Sequence, residues 1–242
     1  TMRSATTRSA PIVTDALSGI CFAATDRCAL HLRREGKHDD QVFMVGDIMV
    51  DSLDADKGNK DTSASLKKHK YSLLTLHRPS NVDSKDRLRR IFEVMHDSEM
   101  PIVFPAHPRT AKRIAEFGIQ MPGNVKMIDP VNHFQMIHMI ENANMVITDS
   151  GGVQKEAYLL STPCITLRDT TEWTETLEEG WNTLIGEYAY GKLLYLMQNP
   201  KVPAVRSAAL GGSGASKRIC DILEGWGKEH EHLDAAKQGR QD

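Results

Sequence analysis

The sequence predicts an α/β fold, a Rossmann-like doubly wound parallel sheet, on three observations. Short apolar or β-branched runs recur along the chain, several of the gaps between them carry helical periodicity, and uncommon polar residues follow the ends of the runs. The runs are YSLLTL (71–76), PIVFPA (101–106), VKMI (125–128), MVIT (145–148), CITL (164–167) and NTLI (182–185). After the first, SKDRLRRIFEVMHD places Leu88, Ile91, Phe92 and Met95 at i, i+3, i+4 and i+7, with Asp83 or Ser84 as N-cap. NHFQMIHMIENA is a second helical stretch and VQKEAYLL a shorter third.

The flanks read differently. ICFAATD, the helix-like RCALHLRREG and QVFMVGD form one further strand–helix–strand unit. The polar DADKGNKDTSASLKKHK has the composition of a linker. GASKRICDILEGWGK (214–228) aligns Ile219, Ile222, Leu223 and Trp226 on one side of a helix. The predicted organisation is a strand–helix–strand at 1–53, a linker at 54–70, the main domain at 71–212, a helix at 213–228 and a polar tail at 229–242. The opening TMRSATTRSAP, with Thr1 ahead of Met2, reads as a cloning remnant or the cut edge of a longer chain.

The 242 residues are 40% hydrophobic and 26% charged with a net charge of −2, enough for a sizeable core. Near-neutral charge without a basic cluster argues against a nucleic-acid partner, and no run of about 18 apolar residues suggests a membrane span. Cys21, Cys28, Cys164 and Cys220 form no CxxC pair and read as buried free thiols of a reducing, cytoplasmic compartment. His230 and His232 fall in the polar tail and read as solvated, so no metal is expected.

Ligands of open α/β sheets bind beyond the carboxyl ends of the strands. There the runs are followed by His77-Arg78-Pro79-Ser80-Asn81, His107-Pro108-Arg109, Asp129-Pro130, Asp149-Ser150-Gly151-Gly152 and Arg168-Asp169-Thr170-Thr171-Glu172. Each piece alone could be a solvated loop, a helix cap or a tight turn. Their convergence, with cations at Arg109 and Arg168, suits an anionic ligand. Gly151 and Gly152 let a bulky anion approach backbone, the next helix offers free N–H groups, and Ser150 adds a hydroxyl. Glu156 lies too far along that helix for phosphate and suits a pair of sugar hydroxyls. Neither G-x-G-x-x-G nor a Walker pattern is present, and Ser150 is not in a G-x-S-x-G elbow. A phosphate-plus-ribose ligand such as a nucleotide sugar follows.

TLHRPSNVD (75–83), FPAHPRT (104–110), ITDSGGVQKEA (147–157) and CITLRDTTEWTETLEEGWNTLIG (164–186) resemble the non-hydrolysing UDP-N-acetylglucosamine 2-epimerases in wording, order and spacing. FAATDRCALHLRREG, VFMVGDIMVDSL and GGSGASKRICDIL extend the likeness to residues 12–223. It implies a glycosyltransferase-B-like two-domain fold and inversion at C2 of UDP-N-acetylglucosamine by elimination and re-addition of UDP, without metal or redox cofactor. By that likeness Ser150, Gly151 and Gly152 would hold the diphosphate and Glu156 the ribose. Arg109 and Arg168 are further phosphate candidates, and His133 and Phe134 would lie by the uracil. His77 would be the acid–base group, with Arg78 facing sugar and diphosphate; Asn81, His107 and Asp169 join the ligand-binding set.

Two departures matter. Ser80 stands where the family pattern commonly has Glu. The chain also matches only the last strand–helix–strand of the family's N-terminal domain, which supplies a phosphate loop and carboxylates for proton transfer. Little activity is therefore expected of this chain alone, since a positioned base contributes about 10²–10⁴-fold. Homodimers are implied for the full-length family. The alternatives are a non-catalytic UDP-binding module, a glycosyltransferase-B-type transferase and a hydrolysing epimerase.

Overall fold

The computed structural model describes residues 12–56 and 70–238, with side chains described as far as residue 227. Two compact units form, Thr1–Gly58 with Ala208–Asp242, and Asn59–Ser207.

In the first unit a helical segment over 12–17 (α1) precedes β1 (Cys21–Ala23), α2 (Asp26–Arg34), a 3-10 turn (Asp39–Gln41), β2 (Val42–Met44) and α3 (Ile48–Asp56). β1 and β2 pair in parallel, as a right-handed crossover through α2 would give. Thr25 caps α2 by accepting from the Cys28 N–H, and Ala29 and Leu32 turn inward. The predicted linker falls mostly on 57–69, outside the described residues. The chain returns to this unit at Ala208, earlier than the boundary expected after 212. The reason is backbone contact: Asp47 N–H donates to Leu210 O at 2.9 Å, and a Cβ on Gly211 would stand 2.9 Å from Gly46 Cα.

The second unit holds β3 (Ser72–Thr75), α4 (Pro79–Val82), α5 (Lys85–Asp97), β4 (Ile102–Pro105), α6 (Pro108–Phe117), β5 (Val125–Ile128), α7 (His133–Asn142), β6 (Met145–Thr148), α8 (Gly151–Leu159), β7 (Cys164–Thr166), α9 (Glu175–Glu178), β8 (Asn182–Leu184) and α10 (Tyr190–Gln198). All six predicted strands form, within a residue or two of their expected ends. They make one parallel sheet in the order β5-β4-β3-β6-β7-β8. In chain order this is 3-2-1-4-5-6, with the topological switch between β3 and β6.

β3, β4 and β6 are buried at every residue, as expected of central strands covered on both faces. On α5, the predicted stripe Leu88, Ile91, Phe92 and Met95 is buried against Leu74, Phe104 and Ile147 in one core cluster. Ser84 is the cap, accepting from Arg87 N–H at 3.3 Å. Gly118, with φ of +63°, ends α6 in the left-handed region.

The terminal helix α11 runs Ala215–Gln238, beyond the expected end at 228. It belongs to the first unit, where Asp51 caps it by accepting from Gly214 N–H at 2.5 Å and Ser216 N–H at 2.7 Å. Arg218 Nε adds a bond to Val45 O at 2.8 Å. On its apolar side Leu223 and Trp226 are 47% and 40% exposed. His230 and His232 lie beyond the described side chains. Among the described residues no helix is long and apolar enough to cross a membrane. The thiols are all free, but only Cys21 and Cys164 are buried; Cys220 is exposed, a correction to the sequence reading.

Candidate functional site

β3 and β6 run in register from Ser72↔Met145 to Thr75↔Thr148, so the residues just beyond them meet at the switch point. The hydroxyls of Thr75 and Thr148 pair at 2.6 Å, and Ser150 N–H donates to Thr148 Oγ1 at 3.0 Å. Beyond this layer the chain on the β3 side carries His77 and Arg78, and on the β6 side Asp149.

Asp149 is fully buried and gathers the site around itself. It accepts from the N–H groups of His77 (3.1 Å) and Arg78 (2.9 Å) and from Asn81 Nδ2 (3.0 Å). His77 Nδ1 stands 3.0 Å from Asp149 Oδ1. Burial alone would raise the Asp149 carboxyl, but the bonds from His77, Asn81 and Arg78 outweigh it and hold the group below the ordinary carboxylate value. An ionised carboxylate only accepts, so the neutral form of the His77 imidazole has its proton on Nδ1, with Nε2 as its acceptor nitrogen. His77 is half exposed and lines a recess of about 230 Å³ with His107, Pro105, Pro130, Val131, Met136, Ser150 and Val153.

At the start of α8, Ser150 is the N-cap, its Oγ accepting from Val153 N–H at 3.4 Å. The N–H groups of Gly151 and Gly152 come too early in the helix for an intrahelical acceptor. The hydroxyl hydrogen of Ser150 remains available as a donor. A Cβ on Gly151 would lie 3.2 Å from Glu172 Oε1, so the glycine admits close approach to this helix end. Gln154 is locked from behind by Thr171 (2.7 Å) and Asn182 (3.2 Å), both donating to its Oε1.

Arg168 is largely buried, with Nη2 2.8 Å from Glu172 Oε2. Its Nη1, also buried, meets no acceptor among the described residues. Arg78 Nε is anchored on Asp149 O at 2.9 Å and its Nη2 is 4.0 Å from Glu172 Oε1. Burial would raise Glu172 too, yet its own N–H and the two guanidiniums lower it. One turn into α8, Glu156 is nearly buried, with Oε1 3.9 Å from His133 Nδ1 at the start of α7. Phe134, next to that imidazole, is 39% exposed.

The sheet therefore gathers His77, Arg78, Ser150, Gly151, Gly152 and Arg168 at one edge, with the His133–Glu156 pair beside them. Three further residues of the expected ligand set already have partners within the protein. Asn81 is fully buried with every side-chain group bonded, which makes it a support for Asp149 rather than a ligand contact. Arg109 does not line the recess; its Nη2 pairs with Asp83 at 2.6 Å. Asp169 Oδ1 accepts from Glu187 N–H at 3.1 Å. His107 does line the recess while its Nδ1 caps its own helix, accepting from Arg109 N–H. Asp149 and Glu172 had no assigned role in the sequence reading. The strand order supplies what was missing, since only β3 beside β6 puts an acid against His77. A larger recess of about 540 Å³ lies between Lys85–Asp97 and Phe117–Pro122 and contains none of these residues.

Fold and site together define a Rossmann-like α/β protein whose switch-point edge offers an oriented imidazole, a glycine-opened helix N-terminus and a buried guanidinium. The family of UDP-N-acetylglucosamine 2-epimerases matches residues 9–224, and the chain belongs to that family. It is 41% identical over 223 residues to a UDP-N-acetylglucosamine 2-epimerase homolog of Methanococcus maripaludis, covering 88% of this chain and 62% of the relative. A UDP-2,3-diacetamido-2,3-dideoxy-D-glucuronate 2-epimerase of Pseudomonas aeruginosa is 38% identical over 225 residues, covering 88% and 61%. The crystal structure of the Methanocaldococcus jannaschii UDP-GlcNAc 2-epimerase in complex with UDP-GlcNAc and UDP superposes with a TM-score of 0.78 at 38% identity, covering 88% of this chain and 63% of that one. The chain thus spans about 62% of the length of these curated relatives.

Proposed function

We propose that this chain carries the UDP-gripping half of a 2-epimerase acting on a UDP-linked 2-acetamido sugar, with UDP-N-acetylglucosamine as first substrate. The observation that carries this is the His77–Asp149 pair, 3.0 Å apart, beside the glycine-opened start of α8. Similarity to 2-epimerases of two different UDP-linked sugars supports it.

In this reading the diphosphate lies at the Gly151 and Gly152 N–H groups, where the helix dipole favours negative charge. The Ser150 hydroxyl and the unpaired Nη1 of Arg168 donate to its oxygens. Glu156 accepts from ribose hydroxyls, with the uracil near His133 and Phe134. His77 faces the sugar through Nε2. The proton at C2 leaves to a base, the C1–O bond breaks, and its electron pair departs with the β-phosphate of UDP as C1 and C2 form a double bond. Return of UDP to C1 and of a proton to the opposite face of C2 gives the manno epimer. Nε2 of His77, oriented by Asp149, is suited to exchanging a proton with the departing and returning groups.

Incubation with UDP-N-acetylglucosamine in deuterated water tests this by proton NMR. Deuterium at C2 with growth of the manno epimer supports turnover by this chain. Broadened uridine lines without deuterium would restrict the chain to nucleotide binding. Sharp, unchanged uridine lines would sink the proposal.

A further inference from the structure

Arg87 is a buried cation to which the proposed chemistry assigns no role. It stands on α5 with only 9% of its surface exposed. Its Nε donates to Asn81 Oδ1 at 2.7 Å, and its Nη1 lies 3.3 Å from Glu187 Oε2 on the β8–α10 connection.

A guanidinium has donors and no acceptor, so the face of Asn81 that meets it has to be the carbonyl oxygen. That decides which way round the amide stands. Nδ2 then faces two acceptors, Asp149 Oδ2 at 3.0 Å and Leu167 O at 3.1 Å. The flipped amide would set NH₂ against the guanidinium and oxygen against a carboxylate and a carbonyl, leaving all of these groups unpaired in a buried place.

The consequence reaches the imidazole. Asn81 Nδ2 and Arg78 N–H both bond Oδ2 of Asp149, which leaves Oδ1 turned to His77 Nδ1. We propose that Arg87 is a positioning residue for His77: through Asn81 it sets the orientation of Asp149, which holds the imidazole in its Nδ1–H tautomer with Nε2 free toward the recess. Its relevance to catalysis rests on reading His77 as the acid–base group. The positioning itself does not depend on that reading.

The test uses the 242-residue chain with ¹⁵N-labelled histidine and long-range ¹H–¹⁵N correlation, at a pH where the imidazole is neutral. His77 in the unsubstituted protein is expected to show the Nδ1–H tautomer alone. Arg87→Met should lose that single tautomer for a mixture or for Nε2–H, and Arg87→Lys, which keeps a donor toward Asn81, should restore it. A folded Arg87→Met protein with an unchanged His77 tautomer would overturn the proposal. Asn81→Asp is the second variant: it keeps a partner for Arg87 but replaces the donor facing Asp149 by an acceptor. It too should lose the Nδ1–H tautomer, and an unaltered tautomer there overturns the proposal even if Arg87→Met does not fold. Uridine line widths with added UDP are read on the same samples. Tautomer loss without UDP binding in the unsubstituted chain would leave the positioning intact and remove the nucleotide reading.

Discussion

Nδ1 of the half-exposed His77 lies 3.0 Å from Oδ1 of the fully buried Asp149, joining the ends of two strands that are neighbours in space and 72 residues apart in sequence. The pair does two things at once. It orients an imidazole, and it ties the loop after β3 to the loop after β6 across the switch point.

The structural half of that role is open to acid. The Asp149 carboxyl is held below its ordinary value in the folded chain, so its contribution to stability is complete above the unfolded value near pH 4 and is lost as pH falls through the folded value. Asp149→Ala leaves donors of Asn81, Arg78 and His77 unmatched, and urea unfolding at pH 7 should show a loss of about 2–4 kcal/mol. The gap between the two proteins should narrow below pH 4.

Glu172 shares Arg168 with any anion at the start of α8 and lies against Gly151. Glu172→Gln removes a competing carboxylate without removing bulk. UDP should then bind about three- to tenfold more tightly, by less at high salt, since Glu172 is half-exposed. Titrations at two ionic strengths measure this; weaker binding would mean that Glu172 aids the site instead.

The capping of α11 by Asp51 is likewise pH-dependent. Bonds from Ser216 and Gly214 lower its carboxyl to about 2, so the cap is complete above about pH 4 and is lost on acidification toward 2. Asp51→Asn should speed hydrogen exchange in the first turn of α11 at neutral pH and leave α5 unchanged.

Thiol reactivity should follow burial. Burial pushes Cys164 up to about 12, and Cys21 is also raised by burial, while Cys220 is exposed. Alkylation of the folded chain followed by peptide mapping should label Cys220 first and Cys164 only after unfolding.

Much of this was legible in the sequence. The apolar and β-branched runs marked every strand of the large sheet, most fully where the central strands β3, β4 and β6 are buried at each residue, while β5 and β8 at the edges are exposed or half-buried at several positions. The Ser150-Gly151-Gly152 turn announced a helix start, and the structure puts Ser150 at the N-cap. Contacts between distant segments were not legible. Asn81 was expected to touch ligand because it follows His77 and Arg78, yet α4 turns it inward onto Asp149 and Arg87. Arg109 read as a cation of the binding edge, and its pairing with Asp83, 26 residues away, was not visible in the sequence. Local pattern cannot rank two partners for one charge. The half-exposed face of α11 is a similar case, since periodicity shows amphipathicity and not the extent of burial.

The most direct measurement is the UDP dissociation constant of this chain by calorimetry, alone and as Ser150→Ala and Glu156→Ala. UDP should bind measurably and both substitutions should weaken it, Ser150→Ala through the diphosphate and Glu156→Ala through the ribose. Absence of UDP binding, or binding that neither substitution changes in a folded protein, would contradict it and reduce the glycine turn to a structural βα connection.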